Sequence, residues 1–468
     1  MSIKFGTDGW RAVIADEFTY DNLTQVAQAT GQWIQESGIT DKGLVVGYDG
    51  RFEGRSFAKH AARVFAEMGS KVRLADGIAP TPAVSWGALH YDAVGIVITA
   101  SHNPPEYNGF KIKAPFGGPA TPSHIEGVEE QLEELGKELE LKSFDEYKNK
   151  GLIEDLNLTE RYLEKVRSNI DLVSIRESNL KVAHDPMYGA GQGLIKKLLG
   201  DHQVTELHSE FNPGFHGQAP EPIAHNLEPL SKVIVEENCD VGIANDGDAD
   251  RIGMFDERGE FVNSHQLLSL LTKYLSQHKS LEGSIIKTFS TTTMLDKQAE
   301  AYGLPIETTP IGFKYIAEKI ISQDVLVGGE ESGGLAVKSH IPERDGIFIG
   351  LLIMEMMVKT NKKLSELVQE LFREFGEHHT YRNDLHTSDQ KKKAMVSYCE
   401  DGKLTEIAGH KVVDREFIDG TKHHLEDGSW LLVRPSGTEP VLRIYSEANT
   451  YQKAVDLVED ASAKVDEF

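Results

Sequence analysis

The stretch GLVVGYDGRFEGRSFAKHAARVFAEMGSKVRLADG, residues 43–77, decides the fold class. It opens with an apolar run that predicts a buried strand, and the strand ends in the polar turn YDGR. A helix is predicted over 55–68, where Gly69 stops it, and a second strand begins at residue 71. Strand, helix and strand in this order indicate a parallel sheet covered by helices on both faces.

The same alternation recurs along the chain. A helix over 20–37 precedes the quoted stretch, and a polar segment over 141–151 has the composition of a linker. Two further strand-and-turn units follow, and after about residue 375 the pattern changes to short alternating strands and a final helix. We therefore predict three similar mixed-sheet α/β domains and a smaller C-terminal α+β domain, with the boundaries 1–145, 146–256, 257–373 and 374–468.

Composition limits the partners of the chain, which has 468 residues and a net charge of −25. This acidity argues against nucleic acid and anionic membranes, although local arginines can still hold a small phosphorylated molecule. The apolar run over 347–358 is too short to cross a bilayer and predicts a buried helix. Two distant cysteines and a start without an apolar signal region predict a cytoplasmic protein.

The first of four chemically suggestive turns is TASHNPPEYNGFK, residues 99–111, which follows a strand. Ligands of parallel α/β sheets bind beyond the carboxyl ends of the strands, which is where Ser101 falls. A serine hydroxyl can carry a phosphoryl group. Spacing alone does not choose between Thr99, Ser101 and His102 as the reactive group, and a rigid Asn-Pro turn without chemistry also fits.

The second turn is DGDADR, residues 246–251, directly after a predicted strand. Three carboxylates at alternate positions of a tight loop repel one another unless a divalent cation gathers them, and oxygen ligands favour Mg²⁺, Mn²⁺ or Ca²⁺. An acidic solvated loop is the alternative.

The remaining two turns are GGEESGG, residues 328–334, and RPSGTEP, residues 434–440. The first offers acceptors and a hydroxyl for sugar hydroxyls, but it is also a common structural turn. The second combines guanidinium, hydroxyl and backbone N–H donors, which suit a phosphate, and a plain β-turn with a surface arginine is the alternative.

Together, in this order and with FGTDGWR at residues 5–11, the four turns resemble the α-D-phosphohexomutase family, which holds phosphoglucomutases and phosphomannomutases. The resemblance covers nearly the whole chain and implies four domains around a central cleft. It implies interconversion of hexose 1-phosphate and hexose 6-phosphate through a phosphoserine and a hexose 1,6-bisphosphate. One Mg²⁺ per chain, sugar phosphates as the molecules bound, and a monomer or homodimer are further expectations.

The resemblance also implies roles for single residues. Ser101 resembles the phosphorylated serine, and its phosphate shares Mg²⁺ with Asp246, Asp248 and Asp250. Cationic or proton-handling positions are implied at Arg11, His102, Lys111 and Arg251. The positions that resemble those reading sugar hydroxyls and the distal phosphate are Glu330, Ser332, Arg434, Ser436, Gly437 and Thr438.

One stretch departs from part of the family. In TPIGFKYI, residues 309–316, some members have a histidine after the glycine, whereas this chain has Phe313 followed by Lys314. Phosphoglucomutase-type members share the aromatic-lysine pair, so Lys314 is the expected acid or base at this edge. Either Lys111 or Lys314 would need a lowered pKa to act as a base.

Three alternatives stay open. A phosphoglucosamine mutase would share the serine and aspartate loops, although Glu331 and Gly334 are more typical of hexose enzymes. A sugar-phosphate-binding protein without catalysis would not need Ser101 and all three aspartates. A phosphatase would not need a second phosphate site.

Overall fold

The computed structural model describes residues 3–6, 8–136, 139–436 and 441–468. Four sheets divide these residues along the chain, and three of them mix parallel and antiparallel strands. The fold class predicted from the sequence is thereby confirmed.

The first sheet has the order β1-β5-β4-β2-β3-β6. Its strands are β1 Trp10–Val13, β2 Leu44–Tyr48, β3 Val72–Ala75, β4 Val94–Ile98, β5 Tyr107–Lys113 and β6 Ile153–Leu156. The helices around it are α1 Tyr20–Ser37, α2 Gly54–Glu67, α3 Thr81–Tyr91, α4 Pro122–Glu133 and α5 Phe144–Asn149. Strands β2 and β4 are parallel neighbours, so the turns that follow them lie side by side.

Two expectations about the end of this domain are wrong. The predicted linker contains α5, because Ser143 and Glu146 form a capping box and Tyr147 is buried. Strand β6 pairs with β3, so the predicted boundary at 145 cuts a strand from the first sheet.

The second sheet has the order β11-β10-β9-β7-β8. Its strands are β7 Val182–Asp185, β8 Val204–Glu206, β9 Val241–Asn245, β10 Ile252–Phe255 and β11 Phe261–Val262. The accompanying helices are α6 Leu158–Asn169, α7 Leu172–Glu177, α8 Leu194–Leu199 and α9 Glu228–Glu237. Strand β11 lies beyond the predicted boundary at 256, because it closes a hairpin with β10.

The third sheet has the order β13-β12-β14-β15. Its strands are β12 Ser284–Thr288, β13 Ile306–Thr309, β14 Val325–Gly329 and β15 Leu335–Val337. Its helices are α10 Ser264–Lys273, α11 Met294–Tyr302, α12 Phe313–Ser322, α13 Gly346–Thr360 and α14 Leu364–Phe375.

Helix α13 is the buried helix predicted over the apolar run. Its one acid, Glu355, accepts hydrogen bonds from the Asp171 amide and the Tyr274 hydroxyl, each at 2.8 Å, so the carboxylate is satisfied inside the core. The core around α13 is continuous through the first three domains, from Ala83 to Val182 and Ile347. Within the described residues, no helix has the length and apolar character to cross a bilayer.

The fourth sheet is antiparallel, with the order β16-β21-β20-β19-β18-β17. Its strands are β16 His379–His386, β17 Glu406–Ile407, β18 His410–Glu416, β19 Thr421–Leu425, β20 Trp430–Pro435 and β21 Val441–Ala448, and its helices are α15 Asp389–Glu400 and α16 Tyr451–Asp466. This sheet has its own core and meets the third domain where Trp430 and Tyr445 pack against Phe289.

Candidate active site

Ser101 lies in the turn that follows β4, with its side chain buried. Its φ is +53°, a left-handed conformation that a non-glycine residue adopts at a cost and that often marks functional sites. The Thr99 hydroxyl accepts a hydrogen bond from the Ser101 amide at 2.8 Å. The Ser101 side chain is therefore held in one direction by its backbone.

That direction leads to the aspartate loop after β9. The Ser101 hydroxyl donates a hydrogen bond to Oδ2 of Asp246 at 2.6 Å, although the two residues are 145 positions apart. Gly247 permits this approach, since a Cβ at that position would lie 2.4 Å from the Ser101 carbonyl oxygen. The first and second domains are thus in direct contact at the serine.

The three aspartates of the loop gather their carboxylates. Oxygens of Asp246, Asp248 and Asp250 lie within 4.8 Å of one another, and all three side chains are buried. Burial and the other two carboxylates raise the pKa of Asp246 well above its ordinary value. Oδ1 of Asp248 and Oδ1 of Asp250 are buried and have no hydrogen-bond partner. Unpartnered carboxylate oxygens that converge in this way fit a hard divalent cation such as Mg²⁺.

Lys111 faces the same cluster from β5. Its Nζ lies 2.8 Å from Oδ2 of Asp248, 3.3 Å from Oδ2 of Asp250 and 2.8 Å from Oδ2 of Asp8. Burial alone would lower the pKa of Lys111, but the three carboxylates outweigh it and raise the pKa above its ordinary value. A base needs a lowered pKa, so the expectation that Lys111 takes a proton is contradicted, and the residue is a fixed cation here.

Two residues that the sequence did not single out complete this charge cluster. Arg344 lies with Nη2 2.6 Å from Oδ2 of Asp250 and 2.5 Å from Oδ2 of Asp8. Burial opposes ionisation of Asp8, but the cations Lys111, Lys113 and Arg344 outweigh it and hold its pKa well below the usual range. The Asp8 carboxylate is therefore charged and joins the N-terminal segment to the first and third domains.

His102 and Arg11 border the serine on its open side. Nδ1 of His102 is 3.4 Å from the Ser101 hydroxyl oxygen, and Nη1 of Arg11 donates to Oδ1 of Asn103 at 2.9 Å. Burial and the cations Arg251 and Arg11 lower the pKa of His102 well below its ordinary value. The imidazole is therefore neutral near pH 7 in the unphosphorylated protein.

The GGEESGG loop lies against the aspartate loop. Arg251 and Gly334 form an isolated β-bridge, and the Ile252 amide donates to the Gly333 carbonyl at 3.1 Å. Arg251 uses its own amide to donate to Oδ1 of Asp246 at 3.0 Å. The second and third domains are thus joined backbone to backbone beside the carboxylates.

The two glutamates of this loop differ in their surroundings. Glu330 is buried, 3.7 Å from Nη1 of Arg344, and burial raises its pKa to about 7 despite that cation. Glu331 instead accepts a hydrogen bond from the Ser290 hydroxyl at 2.5 Å. Ser332 lines a cleft of about 1070 Å³ that extends to Arg382 and Tyr445 of the fourth domain. A molecule the size of a hexose fits this cleft.

The RPSGTEP turn is only partly described. Nε of Arg434 lies 2.9 Å from Oδ1 of Asp419, and the Ser436 amide donates to the Val441 carbonyl at 2.9 Å. Gly437 and Thr438, two positions of the predicted phosphate site, lie outside the described residues. Across the ladder from Arg434 stands Arg443 on β21, so two guanidinium groups start from paired positions.

Lys314 is not brought to the serine. It lines a separate cavity of about 180 Å³ with Gly6, Asp8 and Gly9, and its ammonium lies 5.2 Å from the ring centre of Tyr315. The sequence-based role of Lys314 in proton transfer remains a prediction.

The residues that sequence reasoning missed are Asp8, Thr81 and Arg344. Thr81 donates its hydroxyl to Oδ2 of Asp248 at 2.6 Å. Asp8 lies inside the quoted motif FGTDGWR, so its acidity next to Arg11 was a usable signal. Arg344 stands in a plain Pro-Glu-Arg-Asp turn, and no local pattern marks it.

Comparison with known proteins gives a consistent result over the whole chain. The phosphoglucomutase/phosphomannomutase family models match domain by domain: domain I over residues 2–138, domain II over 160–259, domain III over 263–375 and the C-terminal domain over 396–464.

Three relatives cover nearly the full length. A phosphoglucomutase/phosphomannomutase of Thermococcus kodakarensis is 31% identical over 98% of this chain and 97% of its own. A probable phosphoglucosamine mutase of Pyrococcus abyssi is 34% identical over 99% of this chain and 98% of its own. The crystal structure of a Thermus thermophilus protein, described as a phosphomannomutase, is 36% identical with a TM-score of 0.86, and the match covers 100% of this chain and 99% of that one.

Proposed function

The chain belongs to the phosphoglucomutase/phosphomannomutase family and is a phosphohexomutase, an intramolecular phosphotransferase; from this premise we propose that it interconverts hexose 1-phosphates and hexose 6-phosphates through a phosphoserine at Ser101. The observation that carries the proposal is the 2.6 Å hydrogen bond from the Ser101 hydroxyl to Asp246, beside two unpartnered carboxylate oxygens. A buried hydroxyl aimed at a carboxylate cluster is where a phosphate ester would share a cation with those carboxylates.

Asp246, Asp248 and Asp250 would hold Mg²⁺ together with an oxygen of the phosphate on Ser101. When bound, the ion supplies charge neutralisation at the transferring phosphoryl group. The chain adds cations of its own: Lys111, kept charged by three carboxylates, and Arg11 and Arg251 on the open side of the serine.

The chemical steps exchange one phosphate ester for another. The bond between phosphorus and the Ser101 hydroxyl oxygen breaks, a bond to the free hydroxyl of the sugar forms, and the hydroxyl proton passes to a nearby base. His102 is placed for this role, because its imidazole is neutral and its Nδ1 is 3.4 Å from the serine oxygen. A phosphate dianion on Ser101 would offset the neighbouring cations and raise the pKa of His102 towards neutrality. The hexose 1,6-bisphosphate then turns over, and its other phosphate returns to Ser101.

The other end of the substrate is assigned to the third and fourth domains. Glu330 and Ser332 would read the sugar hydroxyls, and the RPSGTEP turn, through Arg434, Ser436, Gly437 and Thr438, would hold the phosphate that is not transferred. Arg434 is paired with Asp419 in the ligand-free protein, so phosphate binding exchanges one anion for another at this guanidinium. We place the enzyme in the cytoplasm, with both cysteines as free buried thiols.

Glu330 predicts a pH dependence of substrate binding. With its pKa raised to about 7, the side chain is a carboxylate above pH 7 and a carboxylic acid below it. The ionised form accepts hydrogen bonds from sugar hydroxyls, so KM should rise about tenfold from pH 8 to pH 6. Glu330→Gln should have a higher KM that changes less over the same range.

Initial rates on a hexose 1-phosphate at several pH values measure this effect. The substrate phosphate itself titrates near pH 6, so the quantity to compare is the ratio of the KM of the variant to that of the wild type. A ratio that falls with decreasing pH agrees with the assignment of Glu330, and a constant ratio contradicts it.

The sugar is the finer question, because the relatives carry both kinds of name. We propose glucose or mannose phosphate as substrate, since Glu331 and Gly334 are the residues expected of hexose enzymes; phosphoglucosamine is the second candidate on the strength of the relatives' names. Coupled assays on glucose, mannose and glucosamine 1-phosphates, each with Mg²⁺ and a trace of its 1,6-bisphosphate, distinguish them. The highest kcat/KM on glucose or mannose is the expected result, and the highest value on glucosamine would select the alternative.

A further inference from the structure

A buried arginine lies behind the Ser101 turn, on the side away from the cleft. Arg51 belongs to the turn YDGR that follows β2, and its side chain is 2% exposed. Because β2 and β4 are parallel neighbours, this turn and the serine turn leave the same edge of the sheet. No role in substrate binding or metal binding has been given to Arg51 so far.

The guanidinium of Arg51 binds the carbonyl groups of the serine turn. Nη2 donates to the carbonyls of Ser101 at 2.7 Å and Asn103 at 2.6 Å. Nη1 donates to the carbonyls of Pro104 at 2.8 Å and Tyr107 at 3.0 Å. One side chain thus satisfies four buried or partly buried carbonyls over seven residues, which requires the planar fork of arginine.

The same turn also holds the amide side of Ser101. Asp49 accepts a hydrogen bond from the Thr99 hydroxyl at 2.6 Å, and Thr99 in turn accepts from the Ser101 amide at 2.8 Å. Nε of Arg51 lies 3.2 Å from Oδ2 of Asp49, so the two halves are paired. Both peptide groups of Ser101 are therefore fixed from residues 49–51.

The second domain closes the outside of this arrangement. The ring of Phe215, which is buried, has its centre 5.0 Å from the Arg51 guanidinium carbon. On the other side of the Ser101 carbonyl lies Gly247, where a Cβ would come within 2.4 Å of the carbonyl oxygen. The serine backbone is held between Arg51 and the aspartate loop.

We propose that Arg51 is a positioning residue for phosphoryl transfer: its contacts with the carbonyls of residues 101–107 keep Ser101 in its left-handed conformation with the hydroxyl directed at Asp246. The proposal rests on the function proposed for Ser101. Arg51 touches neither the sugar nor the phosphate; it acts through the geometry of the serine. Phosphoryl transfer depends on in-line alignment, so a small displacement of the serine oxygen costs rate rather than substrate affinity.

The test compares Arg51→Lys with Arg63→Lys. Arg63 is a matched control because it also donates to backbone carbonyls of the first domain, to Lys142 at 2.8 Å and Leu141 at 3.5 Å, away from the serine. Lysine keeps the charge but cannot reach four carbonyls. We expect Arg51→Lys to lower kcat by roughly 100-fold while KM for the hexose phosphate changes by less than about threefold, and Arg63→Lys to leave both unchanged.

Two further readouts separate positioning from general loss of stability. Single-turnover phosphorylation of Ser101 by the 1,6-bisphosphate, followed by intact mass, should slow in Arg51→Lys by the same factor as kcat. Hydrogen-deuterium exchange over residues 99–108 should become faster in this variant, with exchange over the rest of the first sheet unchanged. Should Arg51→Lys fail to fold, Thr99→Val cuts the amide side of the same arrangement and is expected to lower kcat with unchanged KM.

The outcomes also separate this inference from the proposed function. A wild-type protein that takes no phosphate on Ser101 would overturn the proposed function itself. A wild type that is phosphorylated, with Arg51→Lys equal to it in kcat and in exchange over 99–108, would overturn the positioning role alone. A loss of activity that matches only the loss of folded protein in circular dichroism would overturn it as well.

Discussion

Replacing Ser101 with alanine is expected to abolish mutase turnover, by about 10⁴-fold or more, because the variant has no oxygen to carry the phosphoryl group between the two ends of the sugar. The fold should persist, since the hydroxyl makes its close contact with Asp246, whose pKa is already raised by burial and by Asp248 and Asp250. The measurement is a coupled assay with Mg²⁺ and 1,6-bisphosphate, together with peptide mass spectrometry of the wild type after incubation with the bisphosphate.

Ser123→Ala is the matched control. Ser123 is an exposed serine of the same domain, at the start of α4, and its loss should leave turnover unchanged. Peptide mapping also decides between the three candidates of the serine turn. The phosphate is expected on Ser101; a phosphate on Thr99 or His102, or an alanine variant that keeps near-normal rates, would contradict the assignment.

The second large effect is expected from Asp248→Asn. Asp248 has one oxygen bonded to Lys111 and Thr81 and one that is buried without a partner. Asparagine can keep the first set of contacts, but its amide group would oppose a cation at the second position. We expect activity to fall by roughly 10²- to 10³-fold and the Mg²⁺ concentration for half-maximal rate to rise by about 100-fold.

A thermal shift provides a readout apart from activity. Mg²⁺ should raise the melting temperature of the wild type, because an ion that binds only the folded protein stabilises it, and should raise that of Asp248→Asn much less. Asp256→Asn is the control: Asp256 is equally buried in the same sheet but binds Arg258 instead. An unchanged Mg²⁺ dependence in Asp248→Asn would remove this residue from the metal site.

The architecture followed from local patterns with few errors. Apolar runs such as 44–48 and 94–98 became neighbouring parallel strands, and the buried helix around Glu355 was visible as one uninterrupted apolar stretch. The errors concern the end of the first domain. A polar segment there conceals one buried tyrosine, and the strand after it belongs to the preceding sheet rather than the next, which depends on long-range pairing that local periodicity does not encode.

The site was accessible from sequence only in part. The serine and the aspartates each stand in a conspicuous turn, and the resemblance to the phosphohexomutases connected the two turns. The partners of Lys111 were not accessible, because Asp8, Asp248 and Asp250 come from places far apart in the chain. The direction of its pKa depends on the number of carboxylates around it, and for this reason the sequence-based idea of Lys111 as a base failed.

Arg344 and Arg51 show the same limit. Arg344 contacts Asp8 across 336 positions of sequence. The turn that holds Arg51 was recognised as the end of a strand, but four carbonyl acceptors in a neighbouring loop leave no pattern in the side-chain sequence. Residues that act through backbone groups need the structure to be found.

The most direct measurement is a crystal structure of the phosphorylated enzyme soaked with Mn²⁺ in place of Mg²⁺, with the ion located by its anomalous scattering. A single anomalous peak bonded at once to a phosphate oxygen on residue 101 and to carboxylate oxygens of residues 246, 248 and 250 is the predicted result. A phosphorylated serine with the ion elsewhere, or an ion on the carboxylates that the phosphate does not touch, would contradict the account.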